Sequence, residues 1–376
     1  MTDSTPTRKV LLAMSGGVDS SVAAVLLQEA GWDVVGCFMR LGSPGETLNE
    51  GCDTSRIKIG HQGCCSINDA DDARTVAARL NIPFYVLNFR DEFNRVIDYF
   101  RSEYHAGRTP NPCVRCNDWL KFGRLHEYAR QVGASHVASG HYARLEGEGD
   151  DLRLCRGVDD GKDQSYVLFG APRERLGQML LPIGNLTKDT VRGIARDHDL
   201  PVFDKPDSQE ICFVPDNDYA GLLRRTDPDQ MQAGEIVTPD GDVVGHHDGH
   251  QHFTVGQRRG LGIAAGTPLY VIDRQPETNQ VVVGDRTHLS APGLEANDTN
   301  WFIDPPDTWT PCRAQIRYNA SAVPARFRCP SPDRFLVEFA TPQFAVAPGQ
   351  AVVCYDGDTV IGGGWIHRSL DASELT

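Results

Sequence analysis

Residues 11–21 read LLAMSGGVDSS, and no other stretch limits the fold as tightly. An apolar run over 10–13 passes through Ser15, Gly16, Gly17, Val18, Asp19 and Ser20 into a segment with Val22, Val25, Leu26 and Ala30 at helical spacing. A strand that turns through two glycines onto a helix N-terminus offers unpaired backbone N–H groups and the positive end of the helix to an anion. The hydroxyls of Ser15 and Ser20 add hydrogen bonds, and Asp19 is suited to hold a magnesium ion. The loop lacks the lysine of a Walker motif. Such a cradle suits pyrophosphate: with β- and γ-phosphates gripped, the α-phosphorus stays open and adenylation of a substrate oxygen is the expected chemistry. The plain alternative is a glycine turn between a strand and a helix, with no ligand.

The pattern that follows is an alternation of strands and helices. Residues 33–39 (DVVGCFM) form a continuous apolar run, as expected of a parallel strand covered on both faces. Helices are expected over 69–80 and 91–106, a strand over 83–88, and another over 136–139 that ends at Gly140 and His141. Strand ends of an open parallel sheet meet the ligand crevice, so both residues should face the nucleotide. Thr187 should cap a helix reaching His198, and the alternation ends near Tyr219. From Gly234 the pattern changes to short strands with turn pairs such as Asp240-Gly241. The expected chain is α/β, with a parallel-sheet nucleotide domain over 1–219, a small central β-containing domain over 220–284 and a β-barrel over 285–376. In the barrel, Arg313 and Arg317 alternate with Ala314, Ile316 and Tyr318, while Arg326 and Arg328 alternate with Ala325, Phe327 and Cys329. Four arginines could share one face, either to bind an anionic partner or simply to be solvated.

Charge and cysteine content narrow the chemistry. A net charge of −14 argues against a protein that coats nucleic acid non-specifically, so any such site must be local. Residues 1–9 are polar and no apolar run approaches membrane-spanning length, which makes a cytoplasmic enzyme with no membrane partner the expectation. Eleven cysteines, an odd number, favour reactive or metal-ligating thiols over a disulfide framework. Cys113 and Cys116 form C-x-x-C within RTPNPCVRCN, where Pro110 and Pro112 are expected to forbid helix and fix an extended turn. Cys212 lies in a second proline-bracketed segment, 204–215. A zinc ribbon would need another C-x-x-C pair, which leaves two readings: thiol–disulfide exchange on sulfur, or three thiolates holding a four-iron cluster with one iron open. Residues 40–62 read as a long polar loop containing Cys52, with Cys64 and Cys65 after it; with His61 these could ligate a metal or be ordinary packing thiols.

The motifs AMSGGVDSS, FMR, GRTPNPCVRCN, ASGHYA, KDQSY, SQEICF, TVGQRRGLGI, IRYN and APGQ, in this order along nearly the whole chain, resemble those of the tRNA-specific 2-thiouridylases (MnmA/TrmU family). The resemblance implies an N-type ATP pyrophosphatase domain (adenine nucleotide alpha hydrolase-like), a small central domain and a C-terminal β-barrel. It implies ATP and Mg2+ as cofactors, with ATP contacts at Ala13, Met14, Ser15, Gly16, Gly17, Val18, Asp19, Ser20, Met39 and Gly140. Contact with the target base would fall to Asn111, Pro112 and Cys113. Cys116 would be the nucleophile and Cys212 the persulfide carrier, loaded by a sulfur-donor protein. Contacts to tRNA would come from His141, Lys162, Asp163, Gln164, Arg317, Tyr318 and Gln350. Many members of the family carry aspartate where this chain has Cys113, so a [4Fe-4S] cluster on Cys113, Cys116 and Cys212 stands beside the persulfide route. Two rivals remain in view. One is an ATP-pyrophosphatase that amidates or ligates a small molecule. The other is a tRNA-binding scaffold whose nucleotide loop is structural.

Overall fold

The computed structural model describes residues 8–42, 67–207, 211–214, 218–264 and 266–375. The metal reading of His61, Cys52, Cys64 and Cys65 therefore lies outside the described residues. The chain divides into two compact units: one comprises residues up to Arg95 together with 113–217 and 358–360, the other 96–112, 218–357 and 361 onward.

The first unit is built on a five-stranded sheet in the order β3-β2-β1-β4-β7, with β1 Lys9–Ala13, β2 Asp33–Arg40, β3 Phe84–Asn88, β4 His136–Ser139 and β7 Met179–Leu180. Every pairing in it is parallel, as the continuous apolar runs require. Because β1 has β2 on one side and β4 on the other, the strand order reverses between β1 and β4, and a crevice opens at their C-terminal ends. Val10, Leu12, Val22, Val25 and Ala138 are buried in one core with Val76 of the helix Ile67–Arg79 and Val191 of the helix Lys188–Asp197. A hairpin of β5 Ala143–Glu146 and β6 Arg153–Arg156, not anticipated from the sequence, joins this unit, and Cys155 of β6 pairs with Thr359.

One expectation is corrected at the C-x-x-C segment. Pro110 and Pro112 do not keep the chain extended, because helix begins at Pro112 itself: Pro112–Arg115 is α-helical, Cys116–Arg124 is π-helical and Leu125–Gln131 is α-helical again. Proline is excluded from helix interiors but suits the first helical position, where its missing N–H would have no intrahelical partner anyway. Cys116 therefore opens a run of the wider i→i+5 winding, which is uncommon and concentrates at functional sites.

The second unit holds two β-structures. The four-stranded sheet β10-β11-β8-β9 uses β8 Gly234–Val237, β9 Val243–His247, β10 Tyr270–Gln275 and β11 Gln280–Gly284, and packs Ile236, Phe253, Val271 and Val281 into a small core. The barrel is β12-β15-β14-β13-β16-β17, closed by pairing of β12 Ser290–Trp301 with β17 Thr359–Leu370. Its other strands are β13 Thr310–Gln315, β14 Val323–Ser331, β15 Arg334–Phe344 and β16 Ala351–Asp356.

Two buried histidines make the fold sensitive to acid. Burial, reinforced by Arg175 and Arg130, lowers His126 from 6.5 to about 4, and burial with Arg274 and His247 lowers His250 likewise. Below pH 6.5 the unfolded chain takes up protons at these positions that the folded chain refuses, so each contributes stability that is complete above 6.5 and is lost as pH falls toward 4. Thermal unfolding followed from about pH 7 to about pH 5 should show a falling midpoint. His126→Gln and His250→Gln together should flatten that slope.

Candidate functional site

The expected phosphate cradle is present at the C-terminal end of β1. Gly16 has φ +74°, and a Cβ there would lie 2.1 Å from the Asp69 carbonyl oxygen, so the turn requires glycine. Gly17 caps the helix Val18–Glu29 without a side-chain bond. Ser15 N donates to Ser20 Oγ at 3.1 Å, and the Ser15 and Ser20 hydroxyls lie 3.3 Å apart, so both side chains close the loop on itself. Met14 is buried and its N–H donates to Cys37 O at 2.8 Å; Met39 is half-buried near the end of β2. Gly140 follows β4, where a Cβ would lie 2.6 Å from Ser20 N, so the strand end packs directly on the loop. Ala13, Met14, Ser15, Gly16, Gly17, Val18, Asp19, Ser20 and Gly140 thus occupy one crevice edge.

The loop's missing lysine is delivered from elsewhere. Lys188, the first residue of a helix capped by Thr187, places Nζ 2.8 and 2.9 Å from the two carboxylate oxygens of Asp19. The same Nζ is 2.7 Å from Asp207 Oδ1. Tyr142 OH donates to Asp19 Oδ1 at 2.7 Å; burial first, and then the Asp19 charge, push its phenol far above its usual range, so it stays a donor. The two oxygens of Asp19, the residue expected to ligate magnesium, accept here from an ammonium and a phenol. Asp207 also accepts from Lys162 Nζ at 2.7 Å and lies 3.2 Å from Arg192. Burial opposes its ionisation, but hydrogen bonds from Lys162 and Lys188 outweigh that and hold it below the ordinary carboxylate range. Lys205 reaches the loop from the same segment, donating to Gly16 O at 3.0 Å and pairing with Asp69 and Asp72. Lys188 and Lys205 were missed in the sequence because Asp19 and Lys188 are 169 positions apart; Thr187 marked a helix start, but nothing local said where that start pointed.

The three candidate thiols belong to the same unit. Cys113 is exposed, while Cys116 and Cys212 are half-buried. Cys212 precedes the buried Phe213 and Val214, and Phe213 packs edge-on against Phe93 at 5.6 Å. No group of three or more His, Cys, Asp or Glu side chains able to hold a metal ion occurs among the described residues. Cys113, Cys116 and Cys212 are therefore not shown as a three-thiolate iron site.

Several residues expected at the RNA are engaged inside the protein. His141 is buried; Lys121 lies 3.4 Å from its Nε2 and Ser139 Oγ 2.7 Å from its Nδ1. Burial, and then Lys121, hold His141 neutral, and because an ammonium only donates, the ring proton sits on Nδ1 facing Ser139. Asp163 accepts from Arg156, from Gly157 N and from both the N–H and hydroxyl of Ser165. Gln164 Oε1 accepts from Tyr142 N at 3.0 Å. In the second unit, Arg317 donates to the carbonyls of Phe344 and Ala345, and Tyr318 is 41% exposed. The alternation on which the arginine face was read ends early, because Gln315 is buried and binds the carbonyls of Arg317 and Tyr318. Arg326 pairs with Glu338, and Arg326 and Arg328 stack on Trp309 at 4.9 and 4.7 Å.

Comparison with known proteins places this geometry. Residues 8–216 match the family model described as tRNA methyl transferase HUP domain, residues 224–285 the tRNA methyl transferase PRC-barrel domain, and residues 292–366 the aminomethyltransferase beta-barrel domain. The tRNA-specific 2-thiouridylase MnmA of Carboxydothermus hydrogenoformans is 48% identical over 369 residues, covering 96% of this chain and 98% of that protein. MnmA of Geotalea uraniireducens is 48% identical over 369 residues, with 97% and 96% covered, and MnmA of Rhodopirellula baltica 46% over 387 residues, with 96% and 97% covered. The chain belongs to the tRNA-specific 2-thiouridylase family.

Proposed function

We propose that this chain is an ATP-dependent tRNA-uridine 2-sulfurtransferase that replaces O2 of a wobble uridine with sulfur. The observation that carries the reading is a lysine-free phosphate loop completed by Lys188, in the same unit as the half-buried thiols Cys116 and Cys212. In the first step uridine O2 attacks the α-phosphorus of ATP, the bond to the β-phosphate oxygen breaks, and pyrophosphate departs into the loop of residues 15–20. Lys188 and the N-terminus of the helix Val18–Glu29 offset the charge on the leaving group, once the phosphates compete with Asp19 for the ammonium. Tyr142 keeps Asp19 hydrogen-bonded during that exchange.

Sulfur transfer follows on the activated carbon. A persulfide on Cys212, loaded by a donor protein, presents its terminal sulfur to C2. Cys116 attacks the inner sulfur, the S–S bond breaks, the terminal sulfur stays on C2, and the C2–O bond breaks to release AMP. Cys116 and Cys212 end as a disulfide that an external dithiol must reduce. Asn111, Pro112 and Cys113 are assigned to the target base, and Lys162, Arg317 and Tyr318 to the RNA. Methyl transfer, named in the domain descriptions, would need neither an adenylating loop nor two thiols.

Lys188→Met should weaken ATP binding by about tenfold or more, as expected for losing a charge-assisted contact, while Lys188→Arg retains most of the affinity; equilibrium binding of a non-hydrolysable ATP analogue measures both. Protein purified without oxygen should contain well under about one iron per chain and thiolate tRNA from a persulfide donor, and Cys113→Ala should keep activity within about threefold of wild type. About four irons per chain, lost together with activity in Cys113→Ala, would overturn the persulfide route. Cys116→Ala and Cys212→Ala should each abolish thiolation.

A further inference from the structure

The loop assigned to the target base is held from two sides before any RNA arrives. On the barrel side, Thr109 N donates to Pro348 O at 2.8 Å, and Gln350 Nε2 donates to the carbonyls of both Thr109 and Pro110 at 3.1 Å. An amide nitrogen carries two N–H groups, so each carbonyl can receive its own hydrogen. The turn that presents Gln350 is itself fixed: Gly349 N donates to Ile366 O at 2.9 Å and Ile366 N to Gln350 O at 2.8 Å. Gly349 has φ +87°, and a Cβ there would lie 2.9 Å from Arg108 Cβ and from Thr109 O, so only glycine lets the turn lie flat on the loop.

On the other side stands Arg274 of β10, which is 4% exposed. One of its terminal nitrogens donates to Thr109 Oγ1 at 3.3 Å, and the guanidinium lies 5.6 Å from the centre of the Tyr104 ring. Its Nε and other terminal nitrogen are buried without a hydrogen-bond partner, and no carboxylate pairs with it among the described residues. A buried cation with no counter-ion is costly, and nothing in the packing of the small sheet calls for one. Among the described residues, the one hydrogen bond of its side chain is with the loop.

We propose that Gln350 and Arg274 are positioning residues that brace Thr109 and Pro110, so that Asn111 and Pro112 meet the target uridine in a preset geometry. Gln350 thereby acts on the base through the loop, and only its Oε1 is left for RNA. The significance of the brace rests on the thiouridylase reading, but its existence can be tested in the protein alone. Asn111 N also approaches Tyr99 OH, at 3.5 Å, so the whole loop lies against one surface of the second unit.

The test is hydrogen–deuterium exchange of the full chain without tRNA, read at the amides of Gly107, Arg108, Thr109 and Asn111, alongside steady-state thiolation. Gln350→Met should raise exchange there by about fivefold or more, leave the other amides of the barrel unchanged and lower kcat more than it raises KM for tRNA. Arg274→Met should act in the same direction although its side chain cannot reach RNA. If Arg274→Met does not fold, Thr109→Val removes the same bond from the loop side and is read in the same way. Unchanged exchange with only a raised KM for tRNA would overturn the brace and make Gln350 a simple RNA contact. Raised exchange in a wild-type-like background that thiolates no tRNA would keep the brace and sink the assigned reaction instead.

Discussion

One ammonium group organises the chemistry of the first unit. Lys188 Nζ sits within 3 Å of carboxylate oxygens on both Asp19 and Asp207, at 11% side-chain exposure. Asp19 belongs to the phosphate loop and Asp207 to the segment that leads to Cys212. Removing the lysine would leave Asp19 to the Tyr142 phenol and Asp207 to Lys162 and Arg192, and taking one partner from a part-buried ion pair costs more than the pair contributes. Lys205 repeats the arrangement, tying the same segment to Gly16 and to Asp69 and Asp72. The phosphate loop and the segment that leads to Cys212 are therefore neutralised by shared charges, and an anion that draws on Lys188 necessarily alters what holds Asp207.

Much of this plan was legible from residues 10–40 and from the apolar runs that follow. A buried parallel strand, a glycine turn and a helix are each set by local chemistry, and β1, β2, β3 and β4 fall where the runs put them. What escaped was of two kinds. Lys188 and Lys205 act across more than a hundred positions, and no periodicity encodes which distant side chain meets a loop. Pro110 and Pro112 misled for a different reason: proline forbids a helix interior but not its first position, so Pro112 starts the helix that it was expected to prevent. The three-thiolate site was read from ligand count, which says nothing of placement, and no such group occurs among the described residues.

The barrel teaches a related lesson about surface charge. Strand alternation correctly puts Arg313, Arg326 and Arg328 away from the core, yet each is already occupied. Arg313 donates to Ala322 O, and the other two stack on Trp309, with Glu338 beside Arg326. In a chain of net charge −14 these are not a bare cationic sheet: one is held by a backbone carbonyl and two lie over an indole. An RNA phosphate would meet pre-oriented donors and would not have to order mobile side chains, which lowers the entropic cost of each contact.

The π-helical run from Cys116 to Arg124 has a consequence for how this sequence tolerates length change. Each turn of it holds one residue more than an α-turn, so deleting one residue would let the backbone relax into ordinary α-helix while the helices on either side keep their phase. Such a deletion would leave a well-formed helix. Cys116 and Lys121, which lies against His141, stand five positions apart in this winding and would stand four apart in the α-helix, on one face in either case. In an ordinary α-helix a single-residue deletion turns everything beyond it by about 100°; in this helix the wider winding already holds the residue that can be spared.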